Sequence, residues 1–229
     1  MKSYKLIHQL LDLVEKFETV TGKNDGTVRD FTGFLVNHLQ EPASDGELPS
    51  SDVRLGKNEQ EAQKKNAFRL ENNIGRLVIY MSRYAKSYIK KALEGSGLQT
   101  AEEFTALSIL FTHSDLSKSE LISKNIQEKT SGTEVIRRLI VAGFVEQYDD
   151  EKDKRGKRVA VTQKGREQLH KVFEHMSNVG TVVNGKLTLS EKLTLHYLLQ
   201  RLEDFHYPIH ESKAISNKEE LQTVAHSLL

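Results

Sequence analysis

Residues 129–165 combine two kinds of apolar periodicity in a pattern that few folds can accommodate. A helical repeat runs up to Gly143, and two short runs rich in β-branched and aromatic residues follow it. The buried face of the helix is predicted to consist of Val135, Ile136, Leu139 and Ile140. Since glycine is favoured just beyond a helix C-terminus, we predict a helix that stops at Gly143 and leads into a two-stranded ribbon.

The predicted ribbon has a basic tip. Its first strand contains Phe144, Val145 and Tyr148, and its second contains Arg158, Val159, Ala160 and Val161. Residues 149–156 between the strands are too polar to be buried, so we expect an exposed loop there. Residues 152–166 contain seven Lys or Arg and one acidic residue, although the whole chain has a net charge of only +1. Attraction to phosphate must therefore come from this local excess of positive charge.

The length and composition of the chain indicate a folded, unexported protein. With 229 residues, 37% of them hydrophobic, the chain can form one large domain or two small ones. It has no apolar run of the roughly 18 residues that a membrane span needs, and a cytoplasmic location is expected. The absence of cysteine excludes disulfides and thiolate metal sites. The first 60 residues contain seven basic and ten acidic residues, so this part of the chain is acidic.

Two helices are predicted before a linker. Their apolar faces consist of Leu6, Leu10, Leu13, Val14 and Phe17, and of Val28, Phe31, Phe34, Leu35 and Leu39. Residues 41–57 contain two prolines among Ser, Asp and Gly, a composition typical of a linker. One long helix is then predicted for residues 67–93, because their apolar positions keep a helical spacing over about seven turns.

Three shorter helices are predicted from their N-terminal caps. Thr100 with Glu103, and Ser117 with Glu120, have the Ser/Thr-x-x-Glu spacing of a capping box. The third helix, which ends at Gly143, is expected to begin at a cap formed by Ser131 or Thr133. Three short helices in succession, the last two joined by a tight turn, are a helix-turn-helix arrangement.

Two long helices are predicted after the ribbon, with a helix-connecting turn at Asn184 and Gly185. The second of these helices is expected to be capped by Ser190. It is expected to end at Pro208, since proline interrupts the hydrogen bonding of a helix. Residues 208–229 are then expected to form a polar, loosely held tail.

This order of elements resembles the MarR family of bacterial winged-helix transcription regulators. Four motifs carry the resemblance, namely Arg138-Leu139-x-x-x-Gly143-Phe144-Val145, Asp153-Lys154-Arg155-Gly156, Val161-Thr162-x-x-Gly165 and Leu189-Ser190-Glu191. The resemblance extends over about residues 67–205. It implies a homodimer that binds a pseudopalindromic site in double-stranded DNA and is often controlled by a small aromatic or anionic effector.

The predicted fold class is mainly α with a small β-ribbon, a winged helix-turn-helix with long flanking dimerisation helices. The predicted domains are an N-terminal helical extension (1–41), a linker (42–65), a dimerisation helix (66–98), a winged helix-turn-helix DNA-binding lobe (99–165), C-terminal dimerisation helices (166–207) and a tail (208–229).

Candidate DNA contacts lie on the third helix and on the ribbon. The candidate base readers are Ser131, Thr133, Glu134, Arg137 and Arg138, because Arg favours guanine and hydroxyls bond more permissively. Arg138 is alternatively a phosphate contact, and Glu134 either accepts from a cytosine amino group or is turned away. Phosphate or minor-groove contacts are expected from Lys154, Arg155, Lys157 and Arg158, and from Lys118 and Ser119 at the start of the preceding helix.

The remaining candidate sites are weaker. Tyr80, Tyr84 and His113 are candidates for an effector pocket, although aromatic residues at helical spacing more often belong to a core. His206 and His210 have an i,i+4 spacing, but Pro208 is expected to break the helix between them, so no metal site or cofactor is predicted.

The function predicted from the sequence is that of a sequence-specific DNA-binding transcription regulator, a homodimeric repressor released by a small-molecule effector. The chain contains no phosphate-binding glycine loop, no His-Glu-x-x-His motif and no nucleophile elbow, so an enzyme is not expected. The alternative is a winged-helix protein-interaction module without specific DNA binding.

Overall fold

The computed structural model describes residues 3–22, 26–38, 70–113, 115–150 and 156–228, and divides the chain into two compact units, residues 1–76 and 77–229. The helices are α1 (Ser3–Thr21), α2 (Val28–His38), α3 (Leu70–Ala92), α4 (Ala101–Thr112), α5 (Lys118–Lys124), α6 (Lys129–Val141), α7 (Gln163–Asn184), α8 (Leu189–Ser212) and α9 (Lys218–His226). The strands are β1 (Leu116–Ser117), β2 (Val145–Asp149) and β3 (Lys157–Val161). The predicted fold class is confirmed, whereas the predicted linker at 42–65 lies outside the described residues.

The first unit contains the two predicted N-terminal helices, which are joined by an aromatic cluster. Phe17 on α1 is only 5% exposed, and its ring centroid lies 5.6 Å from that of Phe31 and 5.5 Å from that of Phe34, both on α2. Leu6 and Leu10, which were predicted on the same face of α1 as Phe17, are exposed. The contact between α1 and α2 is therefore formed by Phe17, at the C-terminal end of the predicted apolar face of α1, and not by Leu6 or Leu10.

A single apolar core joins α4, α5, α6 and the sheet in the second unit. Its fully buried side chains include Leu107 and Leu110 from α4, Leu121 from α5, Ile136 and Leu139 from α6, Val159 from β3, and Leu169 and Val172 from α7. Ile140 is half-buried against the same core, so the predicted apolar face of α6 is confirmed. Burial of each such side chain contributes about 2 kcal/mol, which makes this core the main source of stability for the lobe.

Two glycines near α6 have different reasons for being glycine. A Cβ at Gly132 would lie 2.6 Å from Ile122 Cγ1, so a larger residue there would have to displace the Ile122 side chain of α5. Gly143 has a φ of +74°, a left-handed conformation that favours glycine, and the Phe144 N–H donates to the Leu139 carbonyl at 3.0 Å. The predicted end of the helix at Gly143 is confirmed.

The sheet has three antiparallel strands in the order β1-β3-β2. β2 and β3 form the predicted ribbon, paired from Val145 opposite Val161 to Asp149 opposite Lys157. β1 was not predicted, because two residues are too few to show an alternating pattern. It places β3 in the middle of the sheet and ties the residues Val159 and Arg158 of β3 to the segment before α5.

Two of the predicted helix starts are wrong. α6 begins at Lys129 after Glu128, two residues before the earlier predicted cap, and the Thr133 hydroxyl donates within the helix to the Lys129 carbonyl at 2.7 Å. α8 is capped by Thr188 rather than Ser190, because Thr188 and Glu191 form a reciprocal capping box. In both cases a hydroxyl residue two or more positions inside the helix was taken for the cap.

The caps at the starts of α4 and α5 are at the predicted residues. Ser117 and Glu120 form the complete capping box. Thr100 accepts from the Glu103 N–H as predicted, but the Glu103 carboxylate accepts from the Gln99 N–H at 2.6 Å instead of from Thr100. The Glu103 side chain is thus directed toward the interior of the lobe.

The predicted helix end at Pro208 is also wrong, since Pro208 lies inside α8, which continues to Ser212. Proline removes one helical hydrogen bond, and the last turn is held by other contacts. The His210 ring nitrogen Nε2 lies 3.0 Å from the Ser123 carbonyl oxygen of α5, and the Ser212 hydroxyl donates to the Pro208 carbonyl at 2.7 Å. The predicted tail contains a further helix, α9, which is capped by Asn217.

The long helices of the second unit leave rows of apolar side chains exposed. On α3 these include Leu77, Val78 and Met81, and on α8 they include Leu195, Leu198, Leu199, Leu202 and Phe205. Within the described part of the chain, no residue of α8 is buried. An apolar surface of this extent is typical of an association surface. None of the described helices is both long and apolar enough to cross a bilayer.

Candidate DNA-binding surface

The outward face of α6 is polar and carries the residues that the sequence predicts as base readers. Gly132, Val135, Ile136 and Leu139 are buried. Ser131, Thr133 and Arg137 are exposed, and Glu134 and Arg138 are partly exposed. Thr130 is also exposed, and its position three residues before Thr133 puts it on the same face. Thr130 is not among the predicted base readers, because the helix is predicted to begin after it, at Ser131 or Thr133.

Arg137 and Glu134 form a bidentate ion pair on this face. Arg137 Nε donates to Glu134 Oε2 at 2.7 Å, and Arg137 Nη2 donates to Glu134 Oε1 at 2.7 Å. The hydrogen bonds from Arg137 hold the pKa of Glu134 below its usual range, and the same bonds raise the pKa of Arg137. Glu134 therefore stays ionised at neutral pH and is bound to an arginine.

Arg138 is held by a buried carboxylate. Its Nε donates to Glu103 Oε1 at 2.5 Å, and Glu103 on α4 is only 3% exposed. Its Nη1 also lies 3.6 Å from Glu134 Oε1. Because Glu103 accepts from Gln99 N–H as well, both of its carboxylate oxygens are used. Arg138 thus joins α6 to α4, a contact between residues 35 positions apart that the sequence did not indicate.

Arg158 is held by carboxylates near the loop end of the ribbon, one pair before Asp149 and Lys157. Its Nε donates to Asp115, and its Nη1 donates to Asp150 Oδ2 at 3.2 Å. The hydroxyl of Tyr148 donates to the same Asp115 carboxylate at 2.9 Å. The hydrogen bond from Arg158 to Asp115 is the main cause that raises the pKa of Arg158 above its ordinary value. This cluster joins β2, β3 and the segment before β1.

The other predicted phosphate contacts have separate environments. Lys157 forms an ion pair with Asp149, directly opposite it in the ribbon. Lys118 is the first residue of α5, and the Ser119 hydroxyl lies 3.1 Å from that of Ser117. Lys154 and Arg155, at the predicted tip of the ribbon, lie outside the described residues. Lys157 and Arg158, the two basic residues of β3, are therefore both paired with neighbouring carboxylates.

Each of the predicted effector residues makes contacts of its own in the described part of the chain. Tyr84 stacks on Tyr88, with ring centroids 6.5 Å apart, and Arg83 lies 5.9 Å from the ring centroid of Tyr80. His113 Nδ1 is 2.8 Å from the Ile109 carbonyl oxygen. A cleft of about 950 Å³ is present elsewhere, between α4 and α6, and its lining includes Glu134 and Arg138 but none of the three predicted residues.

Histidine and acidic side chains do not gather into a metal-binding cluster in the described part of the chain. With α8 continuous through Pro208, His206 and His210 do lie one turn apart on a helix, contrary to the prediction. Their surroundings differ, however, since His206 contacts the ring of Phe205 and His210 contacts the Ser123 carbonyl.

The site lies within a segment that matches a known family. Residues 100–165, from the cap of α4 to the first turn of α7, match the family model described as a winged helix DNA-binding domain. A search of curated proteins found no match to the sequence.

Solved structures with a similar fold are transcription regulators. A MarR variant from E. coli complexed with operator DNA is 25% identical, with 58% of this chain and 98% of that chain covered and a TM-score of 0.53. A MarR regulator from Methanosarcina mazei Go1 is 24% identical, covering 59% and 97% respectively, with a TM-score of 0.55. BpsR from Bordetella bronchiseptica, described as regulated in its DNA binding by 6-hydroxynicotinic acid, is 21% identical, covering 57% and 98%, with a TM-score of 0.54.

The helix-turn-helix, the ribbon and the polar face of α6 therefore define a winged helix DNA-binding domain. The resemblance to the MarR transcription regulators predicted from the sequence is confirmed, and these regulators are not enzymes. About two fifths of the chain lies outside the part shared with these structures.

Proposed function

We propose that this protein is a sequence-specific, homodimeric repressor of transcription, which acts in the cytoplasm and is released from double-stranded DNA by a small-molecule effector. The observation that carries the proposal is the exposed polar face of α6 in a domain that matches the winged helix DNA-binding model. An α-helix with exposed hydroxyl and guanidinium groups can hydrogen-bond base edges in the major groove.

We divide the predicted DNA-binding residues other than Glu134 into three groups. Thr133, Ser131 and Arg137 are exposed on α6, and we assign them to base contacts. Arg138 and Arg158 are both held by carboxylates of their own chain, and we assign them primarily to positioning α6 and the ribbon. Phosphate contacts are assigned to Lys118, Ser119, Lys154, Arg155 and Lys157, with Lys157 released from Asp149 when DNA approaches.

The homodimer is proposed because apolar side chains of α3 and α8 have no cover in the described part of the chain. Burial of this apolar surface against a second copy would stabilise both helices. A two-fold dimer would present two α6 helices to half-sites about 34–36 Å apart, which corresponds to a pseudopalindromic operator. Light scattering that gives a monomer mass at micromolar concentration would contradict this arrangement.

The effector is proposed to be a small aromatic or anionic molecule, with Tyr80, Tyr84 and His113 as its candidate contacts. Support comes from BpsR, whose DNA binding is described as regulated by 6-hydroxynicotinic acid. Titration of 6-hydroxynicotinate and salicylate against a protein–DNA complex is the direct test. Release of DNA by neither compound, and by no other aromatic carboxylate of a screening panel, would remove this part of the proposal.

Selection of bound duplexes from a random pool tests the DNA-binding function itself. We expect an inverted-repeat site to be enriched, with an affinity that falls as salt rises by about 0.9 log units per log unit of salt for each phosphate contacted. The double variant Arg155→Ala, Lys157→Ala should have a smaller slope. If no sequence is enriched and duplex affinity does not depend on salt, the winged helix serves instead as a protein-interaction module.

A further inference from the structure

Four charged side chains form a continuous series from the interior of the lobe to the outward face of α6. Buried Glu103 binds Arg138, Arg138 Nη1 lies 3.6 Å from Glu134, and Glu134 binds Arg137 through both carboxylate oxygens. Side-chain exposure rises in the same order, from 3% for Glu103 through 34% and 44% to 61% for Arg137. We call this series the charge ladder.

The charge ladder restrains a side chain that would otherwise be mobile. An exposed arginine has many rotamers of similar energy, and fixing it on binding DNA has an entropic cost. Here the two hydrogen bonds that Arg137 donates to Glu134 hold its guanidinium plane, and Arg138 holds Glu134 in turn. The orientation of Arg137 is thereby linked to a buried carboxylate on α4.

The N–H groups of the Arg137 guanidinium that do not bind Glu134 are arranged to bind one base in particular. Glu134 uses Nε and one N–H of Nη2, so the remaining N–H groups lie on Nη1 and on the far side of Nη2. Two parallel N–H groups at this end of a guanidinium match the N7 and O6 acceptors that guanine presents in the major groove. Adenine presents a donor in place of O6, so the same edge would meet it unfavourably.

We propose that Glu134 is a positioning residue that orients Arg137 to recognise guanine at one position of each half-site. This inference rests on the proposed DNA-binding function and goes beyond it by naming the base and the residue that determines the preference. It also accounts for an acidic residue on a face that approaches phosphate. Glu134 lowers the overall attraction to DNA and in return increases the discrimination between bases.

The test compares the full-length wild type with Glu134→Ala, Glu134→Gln and Arg137→Ala on two duplexes. One carries the site selected from the random pool, and the other has the guanine of each half-site replaced by adenine. The matched control is Glu128→Ala, which removes an exposed carboxylate from the start of α6 that makes no side-chain cap. Circular dichroism establishes that each variant is folded.

Glu134→Ala is expected to reduce the preference for guanine by about tenfold or more. At the same time it should raise the affinity for unrelated duplex by about two- to fivefold, because a negative charge near phosphate is removed. Glu134→Gln should raise that affinity equally but keep part of the preference, since its amide oxygen still accepts from Arg137. Glu128→Ala should raise the affinity and leave the preference unchanged.

Arg137→Ala should lose the same preference, and the double variant Glu134→Ala, Arg137→Ala should lose no more than either single variant. An unchanged preference in Glu134→Ala overturns the proposal. So does a preference that Arg137→Ala retains, which would mean that Glu134 contacts a base itself. Failure of the wild type to select any site would instead count against the proposed function, so the two failures can be distinguished.

Discussion

The Nε of Arg158 on β3 donates a hydrogen bond to the carboxylate of Asp115, which lies 43 positions earlier and just before β1. Tyr148 on β2 donates to the same carboxylate. One aspartate thus holds residues from both strands of the ribbon, and a basic residue predicted to contact phosphate is bound to its own chain. The orientation of the ribbon depends on this cluster.

Substitution of Asp115 by Asn is expected to loosen the ribbon, because a neutral amide oxygen binds Arg158 more weakly than a carboxylate does. Backbone amides of β2 and β3 should exchange with solvent several times faster, while those of α4 should be unchanged. Hydrogen exchange followed by mass spectrometry measures both. The control is Asp149→Asn, since Asp149 is far more exposed and its pair with Lys157 should contribute little.

Two adjacent glutamates on α4 should respond very differently to substitution. Glu103→Ala should lower the free energy of unfolding by about 2 kcal/mol, because it removes a buried carboxylate that accepts hydrogen bonds from Arg138 and from the Gln99 N–H. Glu102→Ala should lower it by less than about 1 kcal/mol, since Glu102 pairs with exposed Lys86. Urea unfolding monitored by circular dichroism gives both values. Equal effects would mean that the pair of Glu103 and Arg138 contributes no more than a surface contact.

Two glycines of α7 provide a test of close packing. A Cβ at Gly165 would lie 2.2 Å from the Phe144 carbonyl oxygen, whereas a Cβ at Gly180 would meet no atom within 4 Å. Gly165→Ala should therefore destabilise the protein by about 3 kcal/mol. Gly180→Ala should stabilise it by about 0.5–1 kcal/mol, because alanine restricts the unfolded chain and favours the helix. Thermal unfolding at a fixed protein concentration measures both changes in stability, which should have opposite signs.

A charge in the middle of the exposed apolar row of α8 should prevent the proposed dimer from forming. Leu198→Glu is expected to weaken dimerisation by about a hundredfold or more, because the carboxylate would lose its hydration in an apolar interface. Gln200→Glu places the same charge two positions away, at a residue that is already polar, and should leave the dimer intact. Size exclusion with light scattering across a dilution series distinguishes the two variants.

The capping box of α5 should contribute to the dependence of stability on pH. Hydrogen bonds from the Ser117 backbone N–H lower the pKa of Glu120 below its ordinary value of 4.5. A carboxyl with a depressed folded pKa stabilises the protein above its unfolded pKa, and this contribution is lost as the pH falls through the folded value. Glu120→Gln should therefore be less stable than the wild type at pH 7, and the difference should shrink as the pH falls below 4.5 and through the lowered pKa of Glu120. Thermal melts at pH 7, 5 and 3 provide the comparison.

Local sequence patterns predicted most elements of the lobe, apart from β1 and the start of α6, because the interactions behind them span only a few residues. Ser117 and Glu120 are three positions apart, and Gly143 acts through its own backbone. The starts of α6 and α8 were misplaced because several hydroxyl residues compete as caps, and the choice depends on backbone hydrogen bonds. The local preference of Pro208 predicts a helix end, but the packing of the turn that contains His210 overrides this preference.

The organisation of the binding surface was harder to predict, because charge pairs joined by the fold leave no local signal. The sequence identified Arg138 and Arg158 as basic residues near DNA. It did not indicate that Glu103 and Asp115, 35 and 43 positions away, bind them. The pairing of Glu134 with Arg137, by contrast, follows from a spacing of three residues on a helix and was within reach of the sequence.

The absence of buried residues along α8, within the described chain, has a consequence for the amount of protein that a cell must make. A helix that finds its apolar cover only on a second copy is folded to the extent that the second copy is present. In the proposed dimer, dilution would favour dissociation into monomers and would thereby lower the stability of α8. Below the concentration at which the dimer dissociates, the exposed helices would make the chain sensitive to proteolysis. The cellular concentration of the protein would then affect the rate at which it is degraded.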